Sequence, residues 1–599
     1  MMKRRRFIGS SAAALALPGA LAAQSASAST SVKTLRYAFL KAETGFDPAK
    51  VTDIYSRGIT AHIFEGLVGY DHLARPARIK PVLAAELPEV SEDFKTWTFR
   101  IRPGVFFAED AAFHGKPREV TAEDFVYTFM RIADPATVSP HWGEIEDMGI
   151  KGLKAYRDQL RKGGKFDYSH RAEGVRALDR YTLRIELEDT RPRFLQILAQ
   201  HDIYGVVARE VIETYAADTA AHPVGTGPYR LTEWRRSSQI VLEKNPGHRV
   251  RLYRDEVRPA EDDREGQAWL ARFGERRIPM VDRVEVAIIE ETQPRWLSFL
   301  DGQFNFLERL PEDFVSQGMP GGHLAPSLAK QGMTAWRAQA ADVLYHVFNL
   351  EDPVIGGLAP EKVALRRAFA LAMDCRREIN LVRRGQGEVA QSFLVPHTTG
   401  YDPQYKSENG EYDPARAKAL LDLYGYLDRD GDGWREMPDG SPLELEHRTT
   451  PDAFQRSIDT LYQKNLAAVG LKVRFKVGQW PDNLKAMTAG NFQIWNLGGS
   501  ASMPDPQDLI AAYATDRIGS YNYARISMPQ IDAIAARTAL MPDGPERNAL
   551  IRQVQRLATA YMPYKYRAHR YITDVAASGV TGFRRGPFWL NWWEYIEIT

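Results

Sequence analysis

The stretch Pro223-Val224-Gly225-Thr226-Gly227-Pro228-Tyr229, trailed by Asn245-Pro246, decides how the rest of the chain is read. Two glycines one residue apart let a backbone turn sharply, with positive φ expected at both, and Pro228 fixes the exit direction. Strands surround this turn. Leu35–Leu40 alternates as a strand does, Thr96–Arg102 alternates and stops at Pro103-Gly104, and Thr182–Leu187 follows the same rule. Further strands are expected at Ile240–Leu242 and Val284–Ile289. Between them lie helices: Thr121-Ala122-Glu123-Asp124 has capping-box spacing, with Asp in place of Glu, ahead of Phe125–Ile132. After Pro360, Leu365, Ala368, Phe369, Ala372 and Met373 share one helical face, and Ile458, Leu461, Tyr462, Leu466 and Val469 share another. Gly470 closes the second helix, and Leu471, Val473, Phe475 and Val477 then alternate with basic residues. Helices interleaved with strands predict α/β lobes. The charge-dense, weakly periodic segment His248–Arg277 reads as a surface insertion.

The 599 residues exceed one core and suggest three to four units. With 78 basic and 77 acidic side chains, the chain lacks the basic surplus of a nucleic-acid binder. The single Cys375 excludes an internal disulfide and a cysteine metal cluster, and its amphipathic helix predicts a buried, inert thiol. The histidines show no metal-ligand spacing, and neither a Gly-x-Ser-x-Gly elbow nor a P-loop occurs.

Lys3–Arg6 is basic, Phe7–Ala22 is apolar and small, and Ala20/Ala22 and Ala26/Ala28 offer cleavage sites, so residues 1–28 predict a secretory signal. Arg4-Arg5-Arg6-Phe7 resembles the twin-arginine export motif; a general secretory signal with extra basic residues is the alternative. Cleavage after Ala28 removes four basic residues and shifts the formal charge from +1 to −3. Elsewhere no apolar run is long enough to span a bilayer, so a soluble periplasmic protein without membrane insertion is expected.

Six phrases in order resemble the large extracytoplasmic solute-binding proteins of ABC importers, family 5, the oligopeptide/dipeptide-binding class. They are Ile63–Val68, Lys80–Ala85, Thr98–Phe107, Thr121–Phe125, Pro223–Tyr229 and Leu365–Asp374. The resemblance implies a class II, three-domain, two-lobed periplasmic-binding-protein fold with a hinge. Residues 29–66, 200–306 and 548–599 would form lobe I, 67–199 an accessory domain on it, and 307–547 lobe II. It also implies a monomer that catalyses nothing and uses no cofactor: lobes close on a solute and present it to permease subunits.

In that family a glycine-aromatic stretch followed by an aspartate reads the ligand, the acid holding a peptide's free amine. Here the matching stretch is Gly498-Gly499-Ser500-Ala501-Ser502-Met503-Pro504-Asp505-Pro506, with Ser502 where the acid is expected and Gly499 where the aromatic is expected. Either Asp505 or Asp508 reaches the ligand instead, or the ligand carries no free α-amine there. Trp495 is a candidate stacking wall or a core residue; Asn349 is a candidate ligand contact or a hinge-stabilising amide. Tyr521 and Asn522 resemble a cleft-lining segment, while Tyr55 and Glu65 sit at the expected rim of the first lobe.

Asp428, Asp430 and Asp432 with Gly433 fit the first half of a Ca²⁺ loop, in which Trp434 supplies position 7 and Asp439 position 12. An acidic hairpin turn explains the same residues. Peptide capture is the leading reading. An oligosaccharide or opine-like cargo, favoured by Ser502 and the aromatics, is the second, and a secreted hydrolase using carboxylates around Asp505 and Asp508 is the third.

Overall fold

A computed structural model describes residues 32–160, 165–170 and 172–599; the expected leader, residues 1–28, lies outside them. The first lobe is built on a four-stranded sheet in the order Thr34–Phe39, Arg283–Ile288, Gln239–Lys244, Tyr229–Arg235. Its first pair is parallel and the others antiparallel. Leu35, Tyr37, Ile240, Leu242, Val284 and Val286 face one core, as the sequence alternation requires.

The turn Pro223–Tyr229 docks this sheet onto the helix that ends at Ile63. Neither Gly225 nor Gly227 has positive φ, which corrects the expected reason for them. The glycines are there because the backbones touch: a Cβ on Gly225 would lie 2.1 Å from the Ile63 carbonyl oxygen, and one on Gly227 2.6 Å from it. Gly227 N–H donates to that carbonyl at 2.8 Å. Asn245 then staples the turn, its side-chain amide donating to the Gly227 carbonyl at 3.0 Å.

A second sheet orders Glu89–Val90, Thr96–Arg100, Thr182–Glu186 and Val175–Asp179, and packs with the helix Ala122–Ala133 around its own core. The capping box is present at Thr121 and Asp124. The opposite lobe carries the large sheet. Its main path runs Phe306–Leu307, Tyr564–Ala576, Asp342–Phe348, Ile494–Ser500, Glu444–Thr449, Lys472–Val477.

The 13-residue strand Tyr564–Ala576 joins the lobes. Its start pairs with Asp342–Phe348, and Tyr564 and Tyr566 lie in the second-lobe core. Its end pairs with Thr334–Gln339, and Val575 and Ala576 lie in first-lobe cores. The lobe boundary therefore falls inside this strand, not at residue 547: the helix Pro545–Tyr561 buries Ile551, Val554 and Ala558 in the second lobe. Conversely, Leu310, Val315 and Leu328 pack with Trp296 in a first-lobe cluster, so that lobe extends past residue 306. The segment His248–Arg277, expected as a surface insertion, is anchored in the fold. Tyr253 and Phe273 are buried with Tyr595, and Arg251 pairs with Glu594.

Candidate functional site

The strand Ile494–Ser500 supplies the polar edge of the site. On one side it pairs with Asp342–Phe348 along its whole length; on the other, pairing reaches only Ile494 and Trp495. From Asn496 to Ser500 the second side has no ladder partner among the described residues. Of the two glycines on this edge, Gly498 sits where added bulk would crowd a neighbouring side chain and Gly499 where it would make ordinary contact. A Cβ on Gly498 would meet Leu344 at 2.9 Å and one on Gly499 would meet Tyr345 at 3.4 Å.

The edge runs into a cleft of about 770 Å³, walled by Ser500, Ala501 and Ser502 from the second lobe and by Arg584–Leu590 from the first, with Ala335–Gln339 at its base. Seven arginines line it, against the carboxylates Glu265 and Asp342. Four arginines are matched: Arg57 with Asp202, Arg570 with Asp342, Arg584 with Asp263, and Arg585 with Asp574. Three are not. Arg75 donates only to carbonyls, those of His72, Ala74 and Arg585, and lies 5.0 Å from the Trp589 ring centre. Arg337 donates to the Gly385 carbonyl and stacks 3.9 Å over Tyr571. Arg309 has Glu308 no nearer than 3.9 Å.

Burial, and secondarily Arg584, pulls Arg75 down to about 10, so it stays charged at neutral pH. His397, whose Nε2 lies 2.9 Å from the Gln339 carbonyl, is lowered by burial first, with Arg75 adding to it.

A second cavity of about 680 Å³ lies between the accessory domain and the second lobe. Glu144 and Asp147 approach from one side, and Asp508, Asp516 and Tyr521 from the other. Arg193 bridges the gap, donating to the carbonyls of Thr538 (2.9 Å), Ala539 and Met541 (2.7 Å) at the C-terminal end of the helix Pro529–Leu540.

The sequence candidates divide accordingly. Ser500 and Ser502 line the first cleft, and Gly498 and Gly499 lie on the edge leading to it. Asp505 lines the second cavity, but its carboxylate is spent: Arg547 holds both oxygens at 2.7 and 2.9 Å, with both side chains fully buried. Asp505 is therefore neither a free ligand acid nor half of a hydrolytic pair with Asp508. Tyr521 opens onto this cavity. Trp495 is buried in the second-lobe core and reaches neither cavity. The Asn349 amide donates to the Gly490 and Phe492 carbonyls, and the Asn522 amide to those of Ala514 and Ile526, so both tie loops together. Tyr55 packs on Phe39 beside Arg309, away from the strand edge. Glu65 is buried between Arg249 and Thr226. Sequence reasoning missed the unmatched arginines. No motif carries them.

At the acidic loop, Asp428, Asp430, Asp432 and Glu436 bring carboxylate oxygens within 4.8 Å of one another. Asp439 is not among them, because it accepts from Ser441 N–H and Oγ–H; Trp434 contributes its N–H to Asp432. Glu436 thus takes the place expected of Asp439 among residues that could hold a cation.

The profile described as "Bacterial extracellular solute-binding proteins, family 5 Middle" matches residues 78–521. The chain belongs to this family. Family 5 relatives include Di/tripeptide-binding protein 2 of Pseudomonas aeruginosa, 26% identical over 581 residues and covering 94% of this chain and 95% of that one. Among solved structures, the murein tripeptide-binding protein MppA in its unliganded open form matches with TM-score 0.70 at 20% identity, over 95% of this chain and 98% of that one. DppA from Helicobacter pylori, in complex with the peptide STSA, matches with TM-score 0.67 at 23% identity, over 94% and 98%. The two-lobed fold is that of the family.

Proposed function

We propose that this chain is the exported receptor of an ABC importer. It captures a peptide or peptide-like solute between its lobes in the periplasm, as a monomer with a cleaved leader, and passes it to permease subunits without breaking a bond. The observation that carries this reading is the unpaired edge from Asn496 to Ser500, which leads into the cleft. An extended peptide can add to such an edge as a further strand through main-chain hydrogen bonds. Closure then turns ligand contacts into a changed outer surface. A carboxylate hydrolase gains no support from the second cavity, where Arg547 neutralises Asp505.

Calorimetry and thermal shift with short peptides test the reading, since a ligand that binds only the folded state raises Tm. Tripeptides should bind in a simple stoichiometric manner, and N-methylation of the main-chain amides should weaken them. Binding insensitive to N-methylation would remove the strand-edge argument. The delivery role uses no cofactor. The Asp428–Glu436 loop would serve structure alone: a Ca²⁺-dependent rise in Tm that Asp430→Asn abolishes supports an ion there, and no rise leaves it a turn.

A further inference from the structure

We propose that the interlobe cleft selects anionic solutes, holding two acidic groups between Arg75 on the first lobe and Arg337 at the hinge. This deepens the receptor reading and rests on it. Most cleft arginines have a carboxylate fixed against them, so their charge is cancelled within the wall and serves the fold. Arg75 and Arg337 have none among the described residues. Their guanidinium groups lie 5.0 Å and 3.9 Å from the ring centres of Trp589 and Tyr571, contacts that help hold the fork without supplying a carboxylate, while Asp263 and Asp71 act on Arg75 only through space.

Arg75 and Arg337 line one and the same cleft. Arg75 acts electrostatically on His397, and His397 is held at the Gln339 carbonyl. Gln339 lies two residues from Arg337 on the strand Thr334–Gln339, hence on the same face. Arg309 adds a third positive group, loosely paired with Glu308 at 3.9 Å. Only Glu265 and Asp342 line the cleft as carboxylates, and each already contacts an arginine, Arg584 and Arg570 respectively. A cationic ligand would therefore meet net repulsion, and a dianion net attraction, in a partly desolvated space where charge interactions are stronger than in water. The chemical class is a small extended solute with at least two acidic groups: an acidic peptide, or a non-peptide polycarboxylate.

The test is calorimetry on the full mature chain with Glu-Ala-Glu, Gln-Ala-Gln and Lys-Ala-Lys, and with the non-peptide tricarballylate, each at low and raised salt. Glu-Ala-Glu should bind at least about tenfold more tightly than Gln-Ala-Gln, with Lys-Ala-Lys weakest and the preference shrinking as salt rises. Arg75→Gln and the more exposed Arg337→Gln should each erase most of that preference, while Arg75→Lys keeps part of it. If Arg75→Gln does not fold, the Arg337 variant alone decides the matter. Equal binding of the three peptides overturns the anion inference and leaves the receptor reading intact. Binding of tricarballylate without any peptide upholds the inference and defeats the peptide reading. Failure of every probe to bind overturns the inference.

Discussion

Between Ser500 and Asp508 the chain passes from a cleft walled by arginines to a cavity walled by carboxylates, two spaces of similar size with opposite charge. Within each, some charges are spent and others are not. Arg570 and Arg585 are held by fixed acids in the cleft, and Asp505 is held by Arg547 in the cavity. Arg75 and Arg337 on one side, and Asp508 on the other, face open space without an ion-pair partner among the described residues. Residue type therefore says little about role here. What separates a fold-stabilising charge from a ligand-facing one is whether its partner is built into the wall.

The sharpest way to break the comparison is to remove a spent charge. Arg547→Leu leaves Asp505 buried with Arg193 alone, at 3.5 Å. Deleting one member of a buried pair costs about 3–5 kcal/mol, and Tm should fall by several degrees. Replacing Asp505 by Leu in the same variant should restore part of the loss, since no uncompensated buried charge remains. A drop in stability below about 1 kcal/mol would mean that water reaches the pair, and the distinction between spent and open charges would dissolve.

Arg193 tests the boundary between the regions. It reaches from the accessory domain to three carbonyls at the end of a second-lobe helix, where the helix dipole is negative. Hydrogen bonds from a charged donor contribute about 1.5–3 kcal/mol. Arg193→Ala should shift the lobes toward open forms, seen as a larger scattering radius without ligand. Affinity should also weaken, by roughly tenfold if closed forms fall to a tenth of the population. An unchanged radius and affinity would show that closure does not depend on this contact.

How much of this was legible follows from distance along the chain. The helix after Pro360, the Thr121 capping box and the strand Thr182–Glu186 depend on neighbours a few residues apart, and all form where the pattern places them. The glycines at 225 and 227 were legible as special, but their cause was not, because Ile63 presses on them from about 160 residues away. The strand edge at Gly498–Ser500 announced itself through its glycines. The arginine wall did not: Arg75 donates to the Arg585 carbonyl across a separation of 510 residues, and nothing local marks either residue. Asp505 looked like a ligand acid for the same reason, since Arg547 sits on a helix 42 residues downstream. The lobe boundary was hidden inside one uninterrupted strand, because alternation reports a strand and not which lobe each half joins.

The smallest expected effect belongs to an open charge in the acidic cavity. The Asp508 carboxyl is pushed up to about 6, by burial first and then by Glu144, Asp505 and Asp147. A carboxyl raised in the folded state keeps its proton where the unfolded chain has lost it. Folding stability therefore declines as pH rises from about 4 to about 6, and the penalty stays constant above that range. Asp508→Asn should remove the penalty, raising Tm above about pH 7 by roughly 1 °C, with the gain fading below about pH 5. The effect is modest because the side chain opens onto cavity water, which screens its neighbours. Asp532, lining the same cavity, accepts from Thr515 N–H at 2.8 Å and Thr515 Oγ–H at 2.7 Å. Asp532→Asn should instead lower Tm across the pH range. Two aspartates on one wall would then move stability in opposite directions, the outcome required if built-in partners decide the role of each charge. A pH-independent gain at Asp508 would break that link.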